Sequence, residues 1–231
     1  KNYTCEHISQ LVRTSLSVPR DKQFFEKIGY WTICSSVAAQ NLKAGKRKEV
    51  AENFDDSGMK AALFGAADDA NNMHDYLIEK SAEYINQGKF EFSSESVSAL
   101  SKEAFLQAIK NYFNSPSNQA SIIFYSGHGF DDGKIMLETS AGSYFLHYEE
   151  VISIWKNRNF PAINKHLLLL MDCCFSGKWV TLLLDRGEFS DVSIQASSTD
   201  KQKSNDLGRG KGSLFTGAFL QANGSPKYAI D

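Results

Sequence analysis

Two stretches of this sequence decide its fold: SIIFYSGHG at residues 121–129 and LLLLMDCCFSG at residues 167–177. Each begins as an apolar run and changes abruptly to small, polar and reactive residues. Short apolar runs bounded by Gly and Ser are typical of buried strands in a parallel sheet. In open α/β sheets, the chemistry lies outside the carboxyl ends of such strands. One strand would therefore deliver an imidazole to that edge, and the other a thiol.

A thiol and an imidazole brought together form a Cys-His dyad, the minimum apparatus for nucleophilic attack on an acyl carbon. The thiolate is the attacking form of cysteine, and His128 can take the thiol proton and later protonate the leaving amine. We expect Cys174 to be the nucleophile, because it lies past the apolar run in a Ser-Gly turn. The N–H groups of Gly129 and Cys174 are the candidates for an oxyanion hole.

The other histidines fit this chemistry less well. His74 falls on a predicted helix, His147 begins another, and His166 precedes the Leu run, at the wrong end of its strand. The rival chemistry is zinc binding by His128 and the two adjacent cysteines. Neighbouring residues at a strand end point in opposite directions and share one ion poorly, so the sequence predicts no metal site.

The rest of the chain alternates between helix and strand. Apolar spacing predicts helices at 66–87, from Ser101 to about residue 113, at 148–157 and at 213–222. We predict strands around 30–37 and at 192–196, an extended segment within 90–100, and a small hairpin about the turn at 131–133. This alternation predicts an α/β fold with a mostly parallel central sheet and helices on both faces.

Composition limits the possible functions of the chain. The 231 residues carry a net charge of -2, which argues against a nucleic-acid partner. No apolar run reaches the length of a membrane span. The four cysteines, at positions 5, 34, 173 and 174, do not resemble a disulfide framework. We therefore expect a reducing compartment, the cytoplasm.

The motifs SGHG and D-x-C-x-S-G, each following its own strand, resemble the caspase-fold cysteine peptidases, and most closely the metacaspases. The resemblance runs from about Leu63 to Leu220 and implies a caspase-like fold. It divides the chain into an N-terminal extension at 1–60, with a first strand, and a peptidase domain at 61–231. No last strand of the fold is evident after Ala222, so an incomplete C-terminal part is left open.

A carboxylate close to the nucleophile would attract a cationic side chain, and Asp172 precedes Cys174 by two positions. In the metacaspases, three residues line the S1 pocket that receives Arg or Lys, and the resemblance carries these roles to Asp69, Ser126 and Asp172. It thus implies a protein or peptide substrate with a basic P1 residue. The alternative for the aspartates is that they only cap a helix and a turn.

The chain also departs from the metacaspase pattern. Phe175 stands where many metacaspases have His, and Ala66 replaces a Cys near the S1 pocket. Calcium activation is common in that family, but the acidic loop is reduced to Asp131, Asp132 and Glu138, and Thr181 lies where an acidic ligand is expected. The sequence therefore predicts no required cofactor and leaves calcium activation open.

These observations predict a cysteine endopeptidase that cleaves after Arg or Lys. Two alternatives stay open: a catalytically silent caspase-fold interaction module, and the same dyad with other acyl-transfer chemistry or another P1 preference. A regulatory domain or partner outside this chain is also left open, and no membrane partner is expected.

Overall fold

The computed structural model describes residues 27–34, 63–86, 91–94, 101–116, 118–139, 142–159, 166–187, 191–208 and 210–225. Within them, strands and helices alternate along most of the chain. Their bounds are β1 (Lys27–Cys34), α1 (Phe64–Asn86), β2 (Glu91–Ser94), α2 (Lys102–Phe113), β3 (Ala120–Gly127), β4 (Ile135–Thr139), β5 (Gly142–Leu146), α3 (Tyr148–Lys156), β6 (His166–Cys173), α4 (Gly177–Arg186), β7 (Val192–Ala196) and α5 (Leu214–Ala222).

The central sheet has the strand order β2-β1-β3-β6-β7, and every neighbouring pair in it is parallel. The two apolar runs of the sequence are the interior strands β3 and β6, which explains why they read as continuous hydrophobic segments. A separate antiparallel hairpin is made of β4 and β5. The predicted α/β class with a mostly parallel sheet is confirmed.

Side chains alternate between two cores on the opposite faces of the sheet. Ile123 and Leu169 contribute to the larger core, which also contains apolar residues of α2, α3 and α4. Phe124 and Leu170 contribute to the smaller core, under α1 and α5. Helices therefore cover both faces, as predicted. On α2 the buried residues recur at helical spacing and form one face against the sheet: Phe105, Ile109, Tyr112 and Phe113.

The main differences from the predicted elements are two additions and a shifted strand. The helix α4 and the strand β5 are not among the predictions; β5, and not the segment before the turn at 131–133, is the main partner of β4. The first strand spans 27–34 and lies between β2 and β3, while its predicted end at 35–37 falls outside the described residues. The domain division at residue 60 stays a prediction.

No helix in the described part of the chain combines the length and the apolar composition that a membrane crossing requires.

Candidate active site

The strands β3 and β6 end side by side, and each is followed by one of the two predicted dyad residues. In their parallel register, Gly127 lies opposite Cys173. His128 and Cys174 are the next residues along the two chains, and both are partly exposed. Because neighbouring strands lie about 4.8 Å apart, this register brings the two residues together at the carboxyl edge of the sheet.

The two adjacent cysteines have opposite surroundings. Cys173 is 2% exposed and belongs to the larger core. Burial raises the pKa of its thiol well above the usual value, and the nearby charge of Asp172 adds to this effect. A thiol in such a place stays protonated and inert. Cys174 lies in the turn after the strand, with part of its surface exposed, so the geometry favours it as the reactive thiol.

The backbone of His128 is held from the side of the hairpin. Its carbonyl oxygen accepts hydrogen bonds from the amide of Met136 at 3.0 Å and from the hydroxyl of Tyr125 at 2.9 Å. The Tyr125 hydroxyl also lies 2.7 Å from the carbonyl oxygen of Met136. Tyr125 is buried, so this contact fixes the start of the loop while leaving the imidazole partly exposed. Only the position of Tyr125 directly before SGHG could have indicated this role from the sequence.

Gly129 is the point at which the loop after β3 touches the turn after β6. A Cβ atom built on Gly129 would clash with the carbonyl oxygen of Cys174 and would lie 2.9 Å from the Sγ atom of Cys173. Gly129 also forms an antiparallel bridge with Ile135, whose hydrogen bonds use the groups of residues 128 and 130. The bridge therefore does not use the N–H group of Gly129. This group faces away from Ile135, on the side where the turn that carries Cys174 lies.

The turn that carries Cys174 is tightly shaped by its own backbone. Phe175 has a φ of 56°, in the left-handed region that costs a non-glycine residue about 1–2 kcal/mol. Its amide donates to the carbonyl oxygen of Gln202 at 2.8 Å, which helps to hold this conformation. The turn then enters α4 at Gly177. Strained residues of this kind cluster at functional sites, and this one directly follows the candidate nucleophile.

Two serines that follow β7 hold the same turn from the neighbouring strand. The hydroxyls of Ser197 and Ser198 donate to the carbonyl oxygen of Cys173 at 3.2 and 3.0 Å. The Ser198 hydroxyl also accepts from the amide of Ser176 at 3.1 Å. Neither serine was predicted from the sequence. Their signal is positional: they come directly after the apolar strand β7, at the same edge as His128 and Cys174.

The three predicted S1 residues come together in the structure. Ser126 lies opposite Asp172 in the register of β3 and β6, and its hydroxyl donates to Asp69 Oδ2 at 3.0 Å. Asp69 is on the first turns of α1 and is only 2% exposed. Its Oδ1 atom accepts from the amide of Ser213 at 2.7 Å. Two carboxyl groups and a hydroxyl thus share one polar site beside the end of β6.

Asp172 is 4% exposed and is surrounded by hydroxyl groups. Its Oδ2 atom accepts from Ser213 and, at 2.7 Å, from Thr216, while its Oδ1 atom accepts from Ser204 at 3.2 Å. Ser213 is also the N-cap of α5, so the start of that helix closes one side of the site. The sequence does not single out these three hydroxyl donors.

Burial is the main reason that both carboxyl groups hold their protons more tightly than usual. Burial and the neighbouring Asp172 raise the pKa of Asp69 from its ordinary 3.8 to about 7. The pKa of Asp172 is raised too, chiefly by burial, against the opposing effect of its hydroxyl donors. The pair therefore carries less negative charge near neutral pH than two exposed aspartates would.

A cleft of about 300 Å³, open to solvent, joins the nucleophile turn to the two aspartates. Its lining includes Gly127 and Cys174 together with Asp69, Ser126 and Asp172. The residue Asp206, which follows β7, contributes to the same cleft. The arrangement places the partly exposed thiol of Cys174 next to a polar recess with acidic groups.

The remaining described histidines lie away from this edge. His74 is on α1 near the Tyr30 ring, and His147 precedes α3. His166 begins β6, where its Nε2 atom lies 2.9 Å from the Ser193 hydroxyl. His7 lies outside the described residues. No group of three or more His, Cys, Asp or Glu side chains in the described ranges is arranged to hold a metal ion.

The described residues do not fit a calcium site of the kind that the metacaspase resemblance implies. Thr181, at the position of an expected acidic ligand, donates its hydroxyl to the carbonyl oxygen of Gly177 at 3.2 Å. Asp132 forms an ion pair with Lys134 at 2.5 Å.

Comparisons with known proteins agree with this architecture. Among solved structures, caspase-1 from Spodoptera frugiperda has a TM-score of 0.50 at 15% identity, over 89% of this chain and 75% of that one. Raptor from Chaetomium thermophilum gives 0.44 at 9% identity, over 80% and 16% of the respective chains. No curated protein matches the chain. At 15% identity, the match to caspase-1 shows a shared fold and nothing more.

A family model described as the caspase domain, Peptidase_C14, matches residues 50–228, which is most of the chain. That range includes both strand-end motifs and all three aspartates of the cleft. This chain belongs to the caspase-domain family of cysteine peptidases.

Proposed function

We propose that this chain is a metacaspase-like cysteine endopeptidase that cleaves peptide bonds after Arg or Lys. The observation that carries the proposal is the register of β3 and β6, in which Gly127 faces Cys173 and the next two residues are His128 and Cys174. The cleft that is lined by Cys174 and by acidic residues supports the proposed preference for Arg or Lys at P1.

In the proposed reaction, the Cys174 sulfur attacks the scissile carbonyl carbon after His128 has taken the thiol proton. The negative oxygen of the tetrahedral intermediate would accept hydrogen bonds from the amides of Gly129 and Cys174. His128 then protonates the leaving amine, and a thioester to Cys174 remains. Water, deprotonated by His128, hydrolyses this thioester and restores the thiol. These groups carry the reaction without a required cofactor.

The proposed P1 pocket is the recess that contains Asp69, Ser126 and Asp172. A guanidinium or ammonium group there would meet carboxyl oxygens and a hydroxyl, which suit a cation and repel an anion. A partner of this kind is a protein or peptide substrate. The net charge of -2 gives no support to a nucleic-acid partner. Cytoplasmic location is proposed with it, since the adjacent cysteines Cys173 and Cys174 form no disulfide.

The test is covalent labelling with an Arg-ending peptide that carries a thiol-reactive group. We expect one adduct on Cys174, located by mass spectrometry, and no adduct in Cys174→Ala. Cys173→Ala is the matched control, since it removes the adjacent buried thiol, and it should still be labelled. His128→Ala should reduce turnover of an Arg peptide by about 10²–10⁴-fold.

Three outcomes would contradict the proposal in different ways. Labelling at Cys173 would identify Cys173, and not Cys174, as the nucleophile. No labelling and no turnover in the wild type would favour a silent interaction module. Labelling by probes that end in Asp or Leu, as fast as by those that end in Arg, would keep the dyad and reject the basic specificity.

A further inference from the structure

The buried aspartates of the proposed pocket are already engaged by the protein. The carboxyl oxygens of Asp69 accept from Ser126 and from the Ser213 amide, and those of Asp172 accept from three hydroxyls. Burial raises the pKa of both groups. A pair that is shielded, hydrogen-bonded and partly protonated is a weak source of negative potential for an incoming cation.

A third carboxylate, Asp206, lines the same cleft and is exposed. It forms an isolated antiparallel bridge with Ser213, the residue whose hydroxyl and amide hold Asp172 and Asp69. Such bridged residues have Cα atoms about 4.5–5.5 Å apart. Asp206 is therefore a near neighbour of the buried pair, and its charge helps to raise the pKa of Asp69.

The orientation of Asp206 is fixed by backbone amides. Its Oδ1 atom accepts from the amide of Gly208 at 2.8 Å, and its Oδ2 atom accepts from the amide of Gly65 at 3.4 Å. Gly65 lies so close that a Cβ atom there would clash with the carboxylate. No lysine or arginine of the described residues forms an ion pair with Asp206 in the structure. Its carboxylate is thus held at the cleft without a competing cation from the described part of the chain.

We propose that Asp206 supplies the exposed carboxylate that binds the cationic end of the P1 Arg or Lys, with Asp69 and Asp172 forming the polar floor beneath it. This inference rests on the proposed function. A bound substrate would partly remove the exposed Asp206 carboxylate from water, which strengthens its attraction to a guanidinium. Asp206 is then the residue that distinguishes Arg from a neutral side chain of the same shape.

The alternative is that Asp206 only fastens its loop to the start of α1. The chain offers a matched control for that role in Asp68. The Asp68 carboxylate accepts from the amide of Gly210 at 2.6 Å, so it fastens the same loop to the same helix. Asp68 is not among the residues that line the cleft. A purely structural role predicts similar effects for the two aspartates, whereas a role in specificity predicts an effect for Asp206 alone.

The experiment compares two reversible peptide aldehydes that differ only in Arg or citrulline at P1, because citrulline has the shape of Arg without its charge. Inhibition constants are measured for the wild type, Asp206→Asn and Asp68→Asn. Asn keeps one oxygen that can accept a backbone amide. Asp206→Asn should reduce the preference for Arg over citrulline by about 10-fold or more, and Asp68→Asn should change it less than about 2-fold.

An unchanged preference in Asp206→Asn, or an equal loss in Asp68→Asn, would overturn the inference while leaving the peptidase proposal standing. A wild-type enzyme that does not prefer Arg over citrulline would overturn the inference and the basic specificity together, while the proposed dyad would stand. Circular dichroism and thermal unfolding of the variants confirm that the comparison is made on folded protein.

Discussion

At Gly129 the loop that carries His128 and the turn that carries Cys174 meet through their backbones. A methyl group there would clash with the carbonyl oxygen of Cys174. Gly129→Ala should therefore push the two loops apart and misplace both proposed oxyanion donors. Loss of one such donor typically lowers kcat by about 10²–10³-fold. We expect a loss of that size in steady-state kinetics with an Arg peptide.

The control is Gly187→Ala, at the end of α4, where a Cβ atom would have open space. Its φ of 58° makes that change cost about 1 kcal/mol of stability, with no effect on kcat. Wild-type kcat in Gly129→Ala would show that the two loops can separate without harm, and would remove Gly129 from the proposed oxyanion hole.

Single residues differ in how far the sequence reveals them. His128 and Cys174 follow apolar strands and carry reactive groups, so their placement at one edge follows from the rules of parallel sheets. Ser197 and Ser213 act through hydroxyl contacts with partners 24 and 41 positions away in sequence. A serine has the same local pattern whether or not it meets a carboxylate, so these contacts become visible only in three dimensions.

At the scale of the element, the start of α5 has two tasks. The Ser213 hydroxyl accepts from the amide of Thr216 at 3.1 Å as an N-cap, and it also donates to the buried Asp172. Ser101 caps α2 in the same way, accepting from Ala104 at 3.2 Å at an exposed position. Removal of a cap costs about 1 kcal/mol, and loss of a bond to a buried polar group costs about 1–3 kcal/mol more.

Ser213→Ala should therefore destabilise the protein by about 2–4 kcal/mol and Ser101→Ala by about 1 kcal/mol, measured by urea unfolding. Ser101 serves as the control, because it makes the same kind of cap, and the carboxyl group that its hydroxyl meets, that of Glu103, is exposed and not buried. Equal losses in the two variants would mean that Ser204 and Thr216 satisfy Asp172 without help from Ser213.

Helices with regular apolar spacing were predicted well because local pattern decides them. The helices α1, α2, α3 and α5 begin and end within about two residues of their predicted bounds. The helix α4 was missed, since only Gly177 and Trp179 are buried in it and Leu184 faces solvent. The strand β5 was missed because it pairs outside the main sheet.

For the molecule as a whole, the buried carboxyl pair makes stability depend on pH. The folded protein holds a proton on Asp69 up to about pH 7, whereas the unfolded chain releases it near its ordinary pKa of 3.8. Between these values the folded state binds more protons, so raising the pH favours unfolding. Stability should fall from about pH 4 to pH 7, and this contribution should be constant above that range. The pKa of Asp172 is raised as well, so this residue also lowers the stability of the folded protein as the pH rises.

Urea unfolding at pH 5 and pH 8 tests this expectation. The wild type should lose on the order of 1–3 kcal/mol more stability across this interval than Asp69→Asn, which has no proton to release at this position. Asp131→Asn, in an exposed turn, should behave as the wild type does. The idea is wrong if the wild type gains stability on going to pH 8, or if Asp69→Asn shows the same loss.

The contacts that build the acidic recess join parts of the chain that are far apart in sequence. Asp69 and Ser213 are separated by 144 positions, and Gly65 and Asp206 by 141. Contacts of such range form late, because the closure of a long loop must precede them. During synthesis, the strands that bring His128 and Cys174 together leave the ribosome before Ser213 does. A growing chain can thus bring the thiol and the imidazole together first. The proposed P1 pocket is completed only after α5 has been synthesised.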